Sequence, residues 1–374
     1  MAKIGVVTYS QTIDNYGQVL QFLATKLFLE ELGHEVRLLR PRGYNKDVVA
    51  RITRRLLGRL GLSKNEFKKS LCLTPKEMAK QEIFEKWAKV TEEQEKEHPR
   101  DFEKFRRRHF KVDKATYENI LCHGYDAFCV GSDQTWSAPS ELYMLGWVKG
   151  KYKKFTIAPS VGHRKYSDEE IDIITPWINS FDFISVREQN GIELVKKTGR
   201  TDVIKVLDPT LMITSKCYDS YVKMPVMAKP YILVYLLGGE ISVSMEKILS
   251  FCNENGYDVK YVESQGRNEN VDKVYATIEE WLGLVKGASY VMTNSFHGMA
   301  FSMIYHKPFL VFPLIGVMED MNERIFNLAE QTKLNSRVYK GELETLFGPI
   351  DWAYTDSIRK NNKEQLVKII LNLL

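Results

Sequence analysis

The chain has 374 residues, 44% of them hydrophobic and 27% charged, with a formal net charge of +5. That composition excludes extensive disorder, the charge is too small for the length to mark a nucleic-acid binder, and no apolar run reaches the roughly 18 residues of a membrane span. The length exceeds what one hydrophobic core usually supports, so two domains with a cleft between them are expected.

Met1 to Val7 runs straight into a strand-like stretch with no cleavage site behind it, so no export signal is read. Cys72, Cys122, Cys129, Cys217 and Cys252 are odd in number and fall in no ligand pattern, which points to reduced thiols and a cytoplasmic protein. Lys3 to Tyr9 reads as a buried strand, Leu20, Leu23, Leu27 and Leu32 as one face of the following helix, and Glu35 to Leu39 as a second strand. This βαβ unit opens a Rossmann-like parallel sheet.

From Arg37 to Lys69, eleven Lys or Arg stand against two acids. Arg51, Arg54, Arg55 and Arg59 share a helical flank beside Leu56, Leu57 and Leu60, a face suited either to solvent or to peripheral contact with an anionic membrane. Residues 44 to 120 as a whole read as a charged, mostly helical insertion. The sheet resumes at Ala127 to Val130, Phe155 to Ala158 and Phe183 to Glu188; strands at Tyr231 to Leu236, Asp258 to Val262 and Tyr290 to Thr293 build a second sheet. The expected domains are residues 1–211 and 212–374, with the last helix packing back on the first.

In open parallel sheets, ligand groups collect at the carboxyl ends of strands. Gly131-Ser132-Asp133-Gln134 and Pro159-Ser160-Val161-Gly162 lie at such ends, and Ser295-Phe296-His297-Gly298 joins a strand to a helix. There the free amides of the helix N-terminus favour an anion beside the imidazole, and Gly298 allows a substrate close to the backbone. His297 is thus either a simple helix cap or a functional acid. Arg187, ending its strand, is either half of a surface ion pair with Glu188 or Glu193 or a bidentate fork for phosphate or carboxylate. Trp147 and Trp177 read as packing; Trp136, just after Gln134, is retained as a sugar-stacking candidate. His163 reads as a solvated loop residue. Gly238-Gly239 lacks a phosphate-loop continuation.

Taken in order, Asn15-Tyr16-Gly17, Gly131-Ser132-Asp133-Gln134, Ser160-Val161-Gly162, Ser185-Val186-Arg187-Glu188, Asp208-Pro209-Thr210 and Ser295-Phe296-His297-Gly298 resemble the polysaccharide pyruvyl transferase family, with Lys307-Pro308-Phe309 and Glu323 to Leu328 extending the likeness. The resemblance implies an α/β glycosyltransferase-B-like fold of two Rossmann-like domains. It also implies phosphoenolpyruvate as donor and a sugar or lipid-linked saccharide as acceptor, the product carrying a pyruvate ketal. Arg187 and His297 match the family's active-site Arg and His, and Ser295 and Gly298 accompany them. Members with Arg shortly before the His differ from Asn294-Ser295-Phe296 here, so Arg324 or Lys307 is expected to supply that charge. His297 is then the general acid, Arg187 the anion clamp, and Asp133 or Asp14 the base for a sugar hydroxyl. This scheme uses no metal and no bound cofactor. A nucleotide-sugar glycosyltransferase and a non-catalytic saccharide-binding protein remain compatible with the same architecture.

Overall fold

The computed structural model describes residues 1–41, 75–115, 124–162, 165–267 and 269–374. The arginine face at residues 51–59, His163, Cys72 and Cys122 lie outside them.

The first sheet is built from β1 (Lys3–Val7), β2 (Glu35–Pro41), β3 (Val112–Ala115), β4 (Ala127–Val130) and β5 (Lys153–Thr156), in the spatial order β3-β2-β1-β4-β5. Every pairing is parallel. A parallel pair, β6 (Ile184–Val186) and β7 (Val203–Lys205), continues this sheet through the Phe155–Phe183 bridge. The second sheet contains β8 (Tyr231–Tyr235), β9 (Asp258–Tyr261), β10 (Tyr290–Thr293) and β11 (Phe309–Val311), ordered β11-β10-β8-β9 and again all parallel. The fold is therefore α/β with two Rossmann-type sheets. Strands such as β1, β4 and β8 are nearly continuous apolar runs because helices cover both of their faces.

The strand order reverses between β1 and β4 in the first sheet and between β8 and β10 in the second. These switch points are where open α/β sheets leave a crevice at their carboxyl ends.

The helices of the first half are α1 (Tyr16–Glu31), α2 (Pro75–Glu97), α3 (Phe102–His109), α4 (Asp168–Ile178) and α5 (Gln189–Lys197). Between the sheets lie α6 (Pro209–Met212) and α7 (Ser215–Asp219), followed by α8 (Met245–Glu254), α9 (Ile278–Gly287), α10 (Phe296–Ile304), α11 (Asn322–Gln331) and α12 (Trp352–Leu373). Local chemistry fixes several of the starts. Ser167 and Glu170 form a capping box at α4, Thr277 and Glu280 another at α9, and Asn15 caps α1.

One apolar cluster runs through both sheets. At its centre Tyr16 stacks on Trp281, edge-on to Phe102 and Tyr235. The chain passes between the sheets through buried α6, and α12 returns beside it: Arg359 donates to the carbonyls of Leu211 and Ile213, and Lys363 pairs with Glu31 across the first sheet's helix layer.

Three strands depart from the sequence reading: the short apolar β11 was not read as a strand, and neither were β3 and β7. β3 falls inside the segment read as helical insertion, and β7 was not expected at all. Both are short, and their sequences, Val112-Asp113-Lys114-Ala115 and Val203-Ile204-Lys205, contain charges where a central strand would be apolar. No helix among the described residues is long and apolar enough to cross a membrane.

Candidate functional site

The turns after β4, β5 and β6 meet the turn after β10 at a buried charge cluster centred on Asp208. This residue caps α6, its Oδ1 accepting from the amide and hydroxyl of Thr210. Its Oδ2 accepts from Ser132 Oγ and from Arg187 Nη1, both at 2.8 Å, and lies 4.0 Å from His297 Nε2. Burial alone would raise the Asp208 pKa. The charge of His297 when protonated, that of Arg187, and the bonds from Thr210 and Ser132 outweigh it and leave the carboxyl below its ordinary value.

Arg187 is 5% exposed and held by two carboxylates, Asp208 at Nη1 and, over a longer 3.5 Å contact, Glu188 at Nε. Glu188 in turn accepts from Ser160 Oγ and from the amides of Val161 and Gly162. The ion pair with Glu188 read from the sequence is therefore present but buried. Most of the guanidinium fork is engaged within the protein, and only Nη2 is buried without a partner. This changes the expectation of a bidentate grip by Arg187 alone, because a single free nitrogen cannot form the two parallel bonds of the fork.

A second guanidinium supplies the rest. Arg324, in the first turn of α11, has its Nε buried without a partner. The Cζ atoms of Arg187 and Arg324 lie 4.8 and 6.0 Å from the centroid of the Phe296 ring, which spaces the two cations. Burial and the charge of Arg187 depress the Arg324 pKa to about 10, which still leaves it charged at neutral pH. Two cations this close favour an anion between them.

His297 stands in the first turn of α10, where Ser295 caps the helix by accepting from the Gly298 amide. Its Nε2 is buried without a hydrogen-bond partner. Burial pushes the imidazole down to about 4, against the pull of Asp208 and Asp133 and with the help of Arg187 and Arg324. The free protein thus carries a neutral His297 at pH 7. The site's own stability follows from the same shift. The unfolded chain takes up this proton as pH falls through 6.5, whereas the folded chain does so only near 4. The contribution is complete above pH 6.5 and lost as pH falls toward 4, on the order of 3 kcal/mol. Denaturant unfolding at pH 7 and at pH 4.5 should show this loss in the wild type and a smaller one in His297→Gln.

The N-terminus of α1 faces this imidazole. A Cβ at Gly17 would overlap the His297 ring at Nδ1, so only glycine admits the ring here. Gly17→Ala should lower turnover on the order of 100-fold by displacing the ring, with the donor Michaelis constant within a few-fold of wild type. Unchanged turnover in steady-state kinetics would show that ring placement is not limiting. Gly298, read as an approach for substrate, is instead required by the protein itself, since a Cβ there would overlap the Thr293 side chain.

Asp133 completes the cluster. It holds a left-handed backbone (φ 77°), its Oδ1 accepts from the Gln134 amide, and its Oδ2 is buried without a partner. Such strain in a non-glycine residue persists only where the surroundings impose it. Gln134 lies beside Gly162 and Arg324 at the same junction, and Gly131 donates to Val7 at the switch point.

Several other expected ligand groups are engaged in the scaffold. Asn15 caps α1, Ser132 and Ser160 hold Asp208 and Glu188, and Ser295 caps α10. Tyr16 donates to the Ala276 carbonyl from the apolar centre and does not join the cluster. Trp136 is fully buried, donating to the Tyr143 carbonyl, and so offers no face to a sugar. Lys307 lies beyond the far end of α10, which runs roughly 10 Å along its axis from His297. Asn294 binds both the amide and the carbonyl of Leu237, fixing the turn after β8. Asp208 and Phe296 had no role of their own assigned from sequence, although an Asp-Pro-Thr step is a readable helix start, and Glu188 was read only as a surface partner of Arg187.

A cavity of about 890 Å³ lies elsewhere, between α7, α12 and the end of α10. The charge cluster is the better candidate for chemistry because unpaired cationic and acid–base groups converge there.

The two parallel sheets, with a buried cluster of charged side chains at their carboxyl ends, define an α/β protein with two Rossmann-type sheets. The profile of polysaccharide pyruvyl transferase matches residues 15–314, and the chain belongs to that family. No curated protein sequence matches it. Similar solved structures include UGT89C1 of Arabidopsis thaliana complexed with UDP, at 10% identity and a TM-score of 0.48, covering 99% of each chain. They also include UDP-N-acetylglucosamine 2-epimerase of Rickettsia bellii, at 11% identity and a TM-score of 0.46, covering 100% of this chain and 96% of that one.

Proposed function

We propose that the protein transfers the pyruvyl group of phosphoenolpyruvate to two hydroxyls of a saccharide, forming a pyruvate ketal on a surface polysaccharide or its lipid-linked precursor. The observation that carries this reading is the convergence of Arg187 Nη2, Arg324 Nε and His297 Nε2, three buried nitrogens without partners. A donor bearing both phosphate and carboxylate supplies acceptors for the two guanidinium groups, and its negative charge raises the pKa of the adjacent imidazole.

His297 then gives a proton to the methylene carbon as positive charge develops at the neighbouring carbon. A sugar hydroxyl oxygen bonds to that carbon and loses its proton to Asp133. A second hydroxyl displaces the phosphate, closing the ketal. Of the two hydroxyl protons, one ends on the new methyl group, by way of the reset histidine, and the other on phosphate. Arg187 and Arg324 stabilise the departing phosphate.

This reading is tested by incubating the protein with candidate saccharides and either phosphoenolpyruvate or nucleotide sugars. Saccharide-dependent release of inorganic phosphate from phosphoenolpyruvate supports it. Release of a nucleoside diphosphate instead would assign a glycosyltransferase. Binding itself carries a signature: calorimetry at pH 6 to 7 in buffers of different ionisation enthalpy should record proton uptake with phosphoenolpyruvate, diminished in His297→Gln.

A further inference from the structure

The cavity between α7, α12 and the end of α10 has features of its own. Its volume of about 890 Å³ falls within the range of small-molecule sites. Leu211, Met212, Ile213, Ile304 and Val367 give it apolar walls, and six Lys or Arg stand around it against three Asp or Glu. Most of these cations are neutralised. Lys286 pairs with Asp219, Arg359 with Asp356, Lys363 with Glu31 and Lys360 with Glu364.

Lys368 is exposed, and two more deeply set groups, near neighbours in sequence, are not matched. Tyr305, which ends α10, has its Oη buried without a hydrogen-bond partner. Lys307 is half-buried and forms no ion pair among the described residues; burial and the nearby Lys286 charge lower its pKa. Its backbone is fixed by the turn that follows α10, where His306 takes φ 51° and the Lys307 amide donates to Ser302. A buried hydroxyl and a half-buried ammonium at the rim of an apolar chamber are costly unless an acceptor answers them.

We propose that this cavity binds a single-chain amphiphile with an acidic head group. The chain lies against Met212, Ile213, Ile304 and Val367, and the carboxylate or phosphate head accepts from Tyr305 Oη and Lys307 Nζ. The charge excess and the apolar walls select this ligand together: a bare anion gains nothing from the walls, and an uncharged amphiphile leaves both donors unanswered.

Isothermal titration with octyl phosphate below its micellar concentration tests the assignment, with inorganic phosphate and octyl glucoside as the two partial ligands. Octyl phosphate should bind once per chain, at least tenfold more tightly than either partial ligand. Lys307→Met should weaken it roughly tenfold or more and Tyr305→Phe severalfold, while Val367→Trp should abolish binding by filling the chamber. Tyr305→Phe removes one atom from the fold, so it remains informative if a bulkier variant fails to fold. Absence of saturable binding, equal affinity for octyl glucoside, indifference to all three substitutions, or retention only on anionic phospholipid vesicles would each overturn the proposal.

Discussion

His297→Gln is expected to lower turnover of phosphoenolpyruvate by roughly 10²- to 10⁴-fold, the usual contribution of a positioned general acid, with little change in thermal unfolding at pH 7. The two effects separate because the imidazole is neutral in the free protein, its Nε2 makes no hydrogen bond, and its pKa lies near 4. Glutamine fills much of the same volume but cannot deliver the proton. Binding should persist, since the guanidinium groups of Arg187 and Arg324 are untouched. Steady-state kinetics and a melting curve on the same preparation check both halves. Turnover within a few-fold of wild type would remove His297 from the proton transfer.

Asp208→Asn should be the most damaging single change at the site. The carboxylate accepts from Ser132, Arg187 and Thr210 while essentially excluded from solvent. An amide has one acceptor oxygen, and its NH₂ would face either the Arg187 guanidinium or the Thr210 donors. Breaking a buried ion pair from one side costs about 3–5 kcal/mol, because the remaining charge is stranded. The unfolding midpoint should therefore fall by several degrees. The donor Michaelis constant should rise as well, since Arg187 loses the acceptor that aims it. Arg187→Lys should share the kinetic defect, as an ammonium cannot reach Asp208, Glu188 and a substrate in the same geometry. A normal Michaelis constant in Asp208→Asn would mean that Arg187 is positioned by Glu188 alone.

How much of this was legible in the sequence depended on burial. β1, α1 and β2 were readable because Ile4, Val6 and Val7 form a continuous apolar run and the leucines of α1 repeat at helical spacing. β3 and β7 were not, since short strands containing charges leave no such pattern. His297 and Arg187 were legible as candidates because one opens a helix and the other follows a strand within recognisable segments. Their partners were harder: Glu188 reads as a surface acid until the turn from Ser160 to Gly162 wraps around it, and nothing in the sequence near Asp208 shows that Ser132 and Arg187 converge on it. The hydroxyl-rich turns misled in one direction. Ser132, Ser160 and Ser295 look like ligand groups, yet the first two bond to the carboxylates of Asp208 and Glu188 and the third caps α10. Arg324 and Lys307 were equal candidates by residue type; only the fold places the first against Phe296 and the second beyond the opposite end of α10.

The central claim is that the pyruvyl carbons of phosphoenolpyruvate end on the acceptor saccharide. Incubating the protein with carbon-13-labelled phosphoenolpyruvate in deuterated water, and analysing the acceptor by mass spectrometry and NMR, tests it most directly. The account predicts a labelled ketal carbon bonded to two sugar oxygens and a methyl group carrying one solvent-derived deuteron, with product lost in His297→Gln. An acceptor that gains no labelled carbon across a panel of saccharides, while gaining a sugar when a nucleotide sugar is supplied, would contradict it.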